Sequence, residues 1–309
     1  MRVVVLGQGA MLANLIEGVR DAGFDIVGVF RHERVKNSLF KCFIYDCLKS
    51  SAEYTLIKKY KLYEIKCRSA NSEQFKKEIL KLNADIILVG TWSEKLSKEI
   101  IDLPTIATIN VHPSLLPKYR GPNPYIQTIL NGETQSGVSF HLMSEKFDCG
   151  PLLAQAPIEI SPFDTSKELK EKTVFQARLL LSELLKKINI GIVQPIPQDE
   201  SAASYYHNIS GDEKMLDFLN MDASQIYNTV RALHPYLPTY ITVGKYFFIV
   251  NPYNIGILNE YAKAGNIVAK SNKTSSLTIA CKDGQCIRFS GLKLYGCSLI
   301  TKFVIKYLI

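Results

Sequence analysis

The stretch DIILVGTWSEKLSKEIIDLPTIATINVHPSLLPKYRG, residues 85–121, decides the fold. It contains two short apolar-rich runs, residues 85–90 and 106–111, the first nearly continuous in Ile, Leu and Val, and both suit strands covered on two faces. Such strands belong to a mostly parallel sheet with helices on each side. Working back from this stretch, residues 3–6 and 25–30 read as strands of the same kind, and residues 11–21 and 72–82 carry helical spacing. Working forward, residues 138–143 and 152–160 read as two more strands, and residues 165–188 as a long amphipathic helix. Thr165 and Glu168 have capping-box spacing at its start, and Leu169, Val174, Ala177, Leu181, Leu184 and Ile188 form its apolar stripe. The expected fold class is therefore α/β, with a doubly wound, mostly parallel sheet.

After that helix the pattern changes. Residues 191–204 contain Pro195, Pro197 and a polar run, and read as a connecting segment. Beyond them, residues 223–233 read as a short helix. Residues 245–250, 265–269, 277–281 and 286–289 read as short strands, with Lys282-Asp283-Gly284 as a turn between two of them. Short strands punctuated this way suggest a small β-barrel of the oligonucleotide-binding (OB-like) type. The organisation expected is a first domain over residues 1–190, a linker over 191–208, and a C-terminal OB-like β-barrel over 209–309.

Bulk properties narrow the class further. With 309 residues, 47% hydrophobic and 21% charged, the chain has the composition of an ordinary globular protein of two domains. Its seven cysteines form an odd set without CxxC or Cys/His spacing, which argues against a disulfide framework or a zinc site and for a reducing, cytoplasmic setting. No apolar run reaches the roughly 20 residues of a membrane span. The formal charge of +8 is unevenly placed: from residue 261 onward, Lys263, Lys270, Lys273, Lys282, Arg288, Lys293, Lys302 and Lys306 stand against the single acid Asp283. This end is either a phosphate-contacting surface or a solvated basic face.

Three places carry residues fit for chemistry. Gly7-Gln8-Gly9 follows the first strand where dinucleotide-binding folds put a phosphate turn, and Glu33 stands where a ribose-binding acid is expected, but the third glycine position holds Leu12. A tight strand-to-helix turn is the plainer reading. Asn110 and His112 lie two residues apart at the C-terminal end of a strand, on one side of it, where open α/β sheets place their sites. An Asn amide beside an imidazole suits hydrogen bonding to the oxyanion of acyl transfer. Asp148, in Phe147-Asp148-Cys149-Gly150, is either a turn residue or a carboxylate partner for His112 in moving a proton. Lys118 and Arg120 meet either an anionic group or solvent.

The runs INVHPSLLPKYRG, residues 109–121, and NGETQSGVSFHLMSEKFDCG, residues 131–150, resemble the signature of the 10-formyltetrahydrofolate-dependent formyltransferases. The resemblance rests on Asn110, His112, the Ser-Leu-Leu-Pro run from Ser114 and Asp148, all in order, and is strong over about residues 85–165. It implies that Asn110, His112 and Asp148 form the catalytic trio on a Rossmann-like sheet, with no metal and no covalent enzyme intermediate. It further implies 10-formyltetrahydrofolate as co-substrate, in a pocket between the loop Gly90, Thr91, Trp92, Ser93 and the loop Ser144, Glu145, Lys146, Phe147, with Ser114, Leu115, Leu116 and Pro117 beside it. Trp92, the only tryptophan, is either a wall of that pocket or a packing residue under the sheet. The acceptor implied is the amino group of initiator methionyl-tRNA, and Asp217-Phe218 with the helix after it resembles the start of the tRNA-holding domain of such enzymes. A nucleotide-linked amino sugar is the alternative acceptor, and an RNA-binding protein with an idle catalytic domain the alternative from another class. Three features depart from the tRNA-formylating pattern: Gly121-Pro122-Asn123-Pro124-Tyr125 replaces a run of small residues, the basic loop from Arg31 to Cys47 lacks a Gly-Arg-Gly-type sequence, and the tail from Gly296 fits poorly.

Overall fold

The computed structural model describes residues 1–32 and 51–307. Glu33 and the basic residues Arg34, Lys36 and Lys41 lie outside the described residues. The chain divides into two compact units: Met1–Gly121, Ser136–Ile158 and Glu171–Tyr206 make the first, and Pro122–Gln135, Glu159–Lys170 and His207–Ile309 the second.

The first unit is built on strands β1 (Arg2–Gly7), β2 (Asp25–Arg31), β3 (Ile86–Gly90), β4 (Ala107–His112), β5 (Gln135–Leu142) and β6 (Leu152–Glu159). Among the described residues they form one sheet in the order β2-β1-β3-β4-β5-β6. The pairs β1 with β2, β1 with β3 and β3 with β4 are parallel, and β4 with β5 is antiparallel. The expected doubly wound α/β sheet, mostly parallel, is the observed one.

The apolar runs that mark the central strands feed two cores. Successive residues of a strand point to opposite faces, and here Val3, Val5, Ile86 and Leu88 join one apolar cluster while Val4, Leu6, Ile87 and Val89 join another. Helix α1 (Gly9–Asp21) covers the first face with Met11, Leu12, Leu15, Ile16 and Val19. Of the next three helices, α2 (Ala52–Lys59), α3 (Glu73–Leu82) and α4 (Lys98–Ile101), the last two cover the opposite face with Phe75, Ile79 and Ile100. Each such fully buried side chain contributes roughly 1.5–3 kcal/mol. Ser72 caps α3 by accepting from Phe75 N–H at 3.1 Å.

Helix α5 (Pro124–Leu130) precedes β5, and the long helix α6 (Ser166–Asn189) follows β6. Glu168 accepts from both the backbone N–H and the hydroxyl of Thr165, the capping contact expected there. Its stripe Val174, Ala177, Leu181, Leu184 packs on the first face.

In the second unit, helix α7 (Ala223–Leu233) starts with a full capping box between Asp222 and Gln225. Strands β7 (Tyr240–Val243), β8 (Tyr246–Ile249) and β13 (Lys293–Leu294) form one antiparallel sheet. Strands β9 (Ile255–Tyr261), β10 (Ile267–Ser271), β11 (Ser276–Ala280) and β12 (Gln285–Phe289) form another. The α/β sheet is thus followed by an antiparallel β domain, as expected. Its core is Leu216, Phe218, Ile226, Val230, Phe248, Leu277, Ile287 and Phe289, joined by Val304 and Ile305 of the last helix, α8 (Thr301–Tyr307). Strand β10 begins two residues later than its sequence suggested, because Gly265 takes a left-handed φ of 81° that belongs to the preceding turn. No helix among the described residues is long and apolar enough to cross a membrane.

Candidate active site

The glycine turn after β1 has a structural explanation. A Cβ on Gly7 would come within 2.3 Å of the Gly90 carbonyl oxygen, so the close approach of β1 and β3 at their ends requires glycine there. Gly9 has φ of 62°, and its N–H donates to Glu53 Oε1 at 3.1 Å. Glu53 is 2% exposed. An anion at the start of α1 is favoured by the helix dipole and the unpaired N–H groups, and a buried carboxylate of the chain itself takes that place. A dinucleotide phosphate would meet like charge. The dinucleotide-binding reading of this turn is set aside on that ground.

Chemistry gathers instead at the end of β4. Because β4 and β5 are antiparallel, Asn110 faces His141 and His112 faces Ser139 in register. Residues two apart share a face, so Asn110, His112, Ser139 and His141 stand together. Asn110 Nδ2 lies 3.0 Å from His141 Nε2, and His141 Nδ1 lies 2.8 Å from the Leu142 carbonyl oxygen. The carbonyl accepts from Nδ1–H, which leaves Nε2 to accept from the Asn110 amide. Burial pushes His141 down to about 4, so the ring is neutral near pH 7 and holds that tautomer.

His112, 4% exposed, is gripped from two sides. Its Nε2 is 2.8 Å from the Tyr119 carbonyl oxygen, and its Nδ1 is 3.4 Å from Asp148 Oδ1. Both partners are acceptors, so the ring satisfies both when each nitrogen carries a proton. The other carboxylate oxygen, Asp148 Oδ2, accepts from Gly121 N–H at 3.0 Å, and His141 Nε2 lies 3.9 Å from Oδ1. Burial alone would raise the Asp148 carboxyl; the charge and hydrogen bond of His112, the Gly121 N–H and His141 outweigh it and hold Asp148 down at about 2.

Asp148 arrives there through a strained turn. Its φ is 56°, in the left-handed region, and a Cβ on Gly150 would fall 1.8 Å from the Leu142 carbonyl oxygen. The Asp-x-Gly sequence is therefore a turn, as its composition suggested, and the turn delivers the carboxylate to His112. The structure brings Asn110, His112 and Asp148 into one cluster.

The residues expected to line a folate pocket divide. Ser114 and Leu116 turn inward: Ser114 Oγ donates to the Lys118 carbonyl at 2.7 Å, and Leu116 N–H donates to Ser139 Oγ at 3.1 Å. Both are buried, so in this arrangement their side chains serve the loop itself. Leu115 and Pro117 are only partly buried. Thr91 and Ser93 are exposed, Thr91 with φ of 57°, and Ser93 Oγ lies 2.8 Å from His32 Nε2. The Trp92 ring sits 5.3 Å from Phe30 and 4.7 Å from His32, edge-on to the latter, and packs with Met143 on the second core. Packing under the sheet thus accounts for much of its surface. Gly90 is buried at the strand end, Ser144 Oγ donates to the Lys146 carbonyl at 2.9 Å, and Glu145, Lys146 and Phe147 are exposed. Arg120 is not offered to an anion at the entrance. It is buried and bonded to Glu200 at 2.9 and 2.7 Å.

His141 and Ser139 are absent from the sequence reading. Strand parity would have found them, since both lie two apart on the strand that pairs with β4. The part played by Gln198, whose side-chain amide donates to the Asp148 carbonyl at 2.8 Å, left no local signal.

The model of the Formyl transferase family matches residues 1–185, and that of the Formyl transferase C-terminal domain matches residues 208–302. The chain belongs to the formyl transferase family. Among relatives within that family, the methionyl-tRNA formyltransferase of Thermotoga maritima is 30% identical over 232 residues, covering 75% of this chain and 72% of that protein. The one from Kosmotoga olearia is 29% identical over 310 residues, covering 99% and 96%. A crystal structure of the N-formyltransferase from Helicobacter canadensis, in complex with folinic acid and dTDP-3-aminofucose, superposes with a TM-score of 0.69 at 19% identity, covering 93% of this chain and 98% of that one. HypX from Aquifex aeolicus, in complex with tetrahydrofolic acid, gives a TM-score of 0.61 at 16% identity, covering 96% of this chain and 44% of that one. At these identities the structural likeness concerns the fold.

Proposed function

We propose that this formyltransferase moves the formyl group of 10-formyltetrahydrofolate to the amino group of initiator methionyl-tRNA, a cytoplasmic step preparing translation initiation. The observation that carries the chemistry is the approach of the Asp148 carboxylate to His112, 3.4 Å, beside the Asn110 amide. The acceptor amine attacks the formyl carbon, and a bond forms from its nitrogen to that carbon. Asn110, its amide plane held by neutral His141, donates to the oxygen as negative charge builds on it. The proton lost by the amine passes to the Asp148–His112 pair and on to the leaving nitrogen of the folate, whose bond to the formyl carbon breaks. Metal and covalent enzyme intermediate have no part in this scheme.

The tRNA acceptor is supported by the relatives' names and by the second, basic unit. All eight of its late lysines and arginine, Lys263 to Lys306, are exposed. In this reading residues 1–190 hold the chemistry, 191–208 join the halves, and 209–309 help hold tRNA. The folate contacts fall to the loops at Gly90–Ser93, Ser114–Pro117 and Ser144–Phe147, through main chain wherever the side chains turn inward.

The test offers purified protein labelled 10-formyltetrahydrofolate with methionyl-tRNA or with nucleotide-linked amino sugars. Label on methionyl-tRNA is expected. Label on an amino sugar alone would move the acceptor to that class, and label on neither would leave an RNA-binding protein with an idle domain.

A further inference from the structure

The polar segment after α6 is more than a tether. Leu152 and Ile196 exchange backbone hydrogen bonds of 2.7 and 2.8 Å at the exit of the Asp148 turn. Two residues on, Gln198 Nε2 donates to the carbonyls of Asp148, at 2.8 Å, and Gly150, at 2.7 Å. Gln198 Oε1 accepts from Arg120 Nε at 3.2 Å and Nη2 at 2.8 Å. At the far end of the segment, Ser204 Oγ accepts from Tyr119 N–H at 2.9 Å and the Ser204 carbonyl from Arg120 N–H at 2.9 Å. Tyr206 N–H returns to the Arg120 carbonyl at 3.0 Å, and its ring stacks on Tyr119 with centroids 5.1 Å apart.

These bonds land on the main chain of, or next to, the two residues whose polar groups grip His112. The Asp148 carboxylate faces Nδ1 and the Tyr119 carbonyl faces Nε2. Both residues are non-glycine in the left-handed region, Asp148 at φ of 56° and Tyr119 at 61°. Such a conformation is costly for a residue with a Cβ and persists only where its surroundings over-determine it. One segment supplies that constraint to both.

We infer that residues 196–206 form a strap that sets the ring of His112, with Gln198 as its positioning residue. The kinetic side of this inference rests on the formyl-transfer reading above; the geometric side does not. Gln198→Glu keeps the shape and the acceptor for Arg120 but turns an oxygen toward two carbonyls. Gln198→Met removes donor and acceptor at similar volume. Ser204→Ala removes one bond to Tyr119 at the opposite end.

Two readouts are taken on each variant: the single-turnover rate and KM with 10-formyltetrahydrofolate, and the 15N resonances of the His112 imidazole in the free enzyme. Gln198→Glu is expected to lower the rate about 10- to 100-fold, the scale of a misplaced catalytic group, with KM nearly unchanged. It is also expected to move the Nδ1 resonance toward its position in Asp148→Asn. Should Gln198→Glu not fold, Gln198→Met and Ser204→Ala carry the same resonance test. Unmoved His112 resonances in the folded variants, or a loss confined to KM, would overturn the strap. A wild-type enzyme inactive on every acceptor, with the resonances still moving, would instead overturn the formyl-transfer reading alone.

Discussion

The turn after β1 and the loop after β4 both leave the carboxyl ends of parallel strands in one sheet, and they treat charge in opposite ways. At the first, the helix N-terminus is met by Glu53, a buried carboxylate bonded to Gly9 N–H, and Gly7 is dictated by the Gly90 backbone. At the second, a half-buried carboxylate faces an imidazole with an amide and a second, neutral imidazole alongside. A glycine turn on an open sheet marks a ligand site only where the chain does not fill the anion position itself. In the proposed reaction the polar groups around His112 serve orientation, which is what a reacting carbonyl needs.

The largest effect that would sharpen this contrast is kinetic. Asn110→Ala is expected to lower the chemical step about 10²- to 10³-fold with folate binding little changed, the usual loss for one oxyanion donor. Rapid-quench turnover beside folate titration checks it. Wild-type turnover would remove Asn110 from the mechanism.

Protonation supplies the next effect. His141 is pushed down from 6.5 to about 4, so its contribution to stability is fully present above 6.5 and is lost as pH falls through 4, by about 3 kcal/mol. Asp148, held at about 2 against 3.8, adds a loss of about 2 kcal/mol between those values. Urea unfolding from pH 7 to pH 4 follows the first, and His141→Gln should flatten that decline. An equal decline in the variant would assign it to other groups.

At the β1 turn the expectation reverses. Glu53→Gln should lower stability by about 1.5–3 kcal/mol, the scale of one hydrogen bond to a charged group, and leave formyl transfer unchanged. A collapse of transfer with the fold intact would give this turn a part in the reaction. Smallest is the effect of the basic face of the second unit: Gln in place of Lys270, Lys273 or Lys282 should flatten the salt dependence of tRNA binding by about one unit per lost phosphate contact. An unchanged slope places those lysines in solvent.

The first unit was legible because β1 and β3 are buried on both faces, so their apolar runs stand out without any partner being known. The second unit was less so. Strand β9 is mostly exposed or half-buried, and β13 is two residues long; neither carries a period-two apolar pattern. In the site, Asn110 and His112 announce themselves by spacing on one strand, and Asp148 by resemblance to a family. His141 stays hidden until the antiparallel pairing of β4 and β5 is known. Gln198 acts through carbonyls some fifty positions away in sequence, a relation no local pattern records.

In the proposed reaction, His112 and Asp148 act as one unit on a single carbonyl carbon. Single-turnover formyl transfer by His112→Ala, Asp148→Asn and the double variant tests it most directly. Groups that act together lose their effect together, so the double variant is expected to be about as slow as the slower single one. Losses that multiply, or an Asp148→Asn enzyme as fast as wild type, would contradict it.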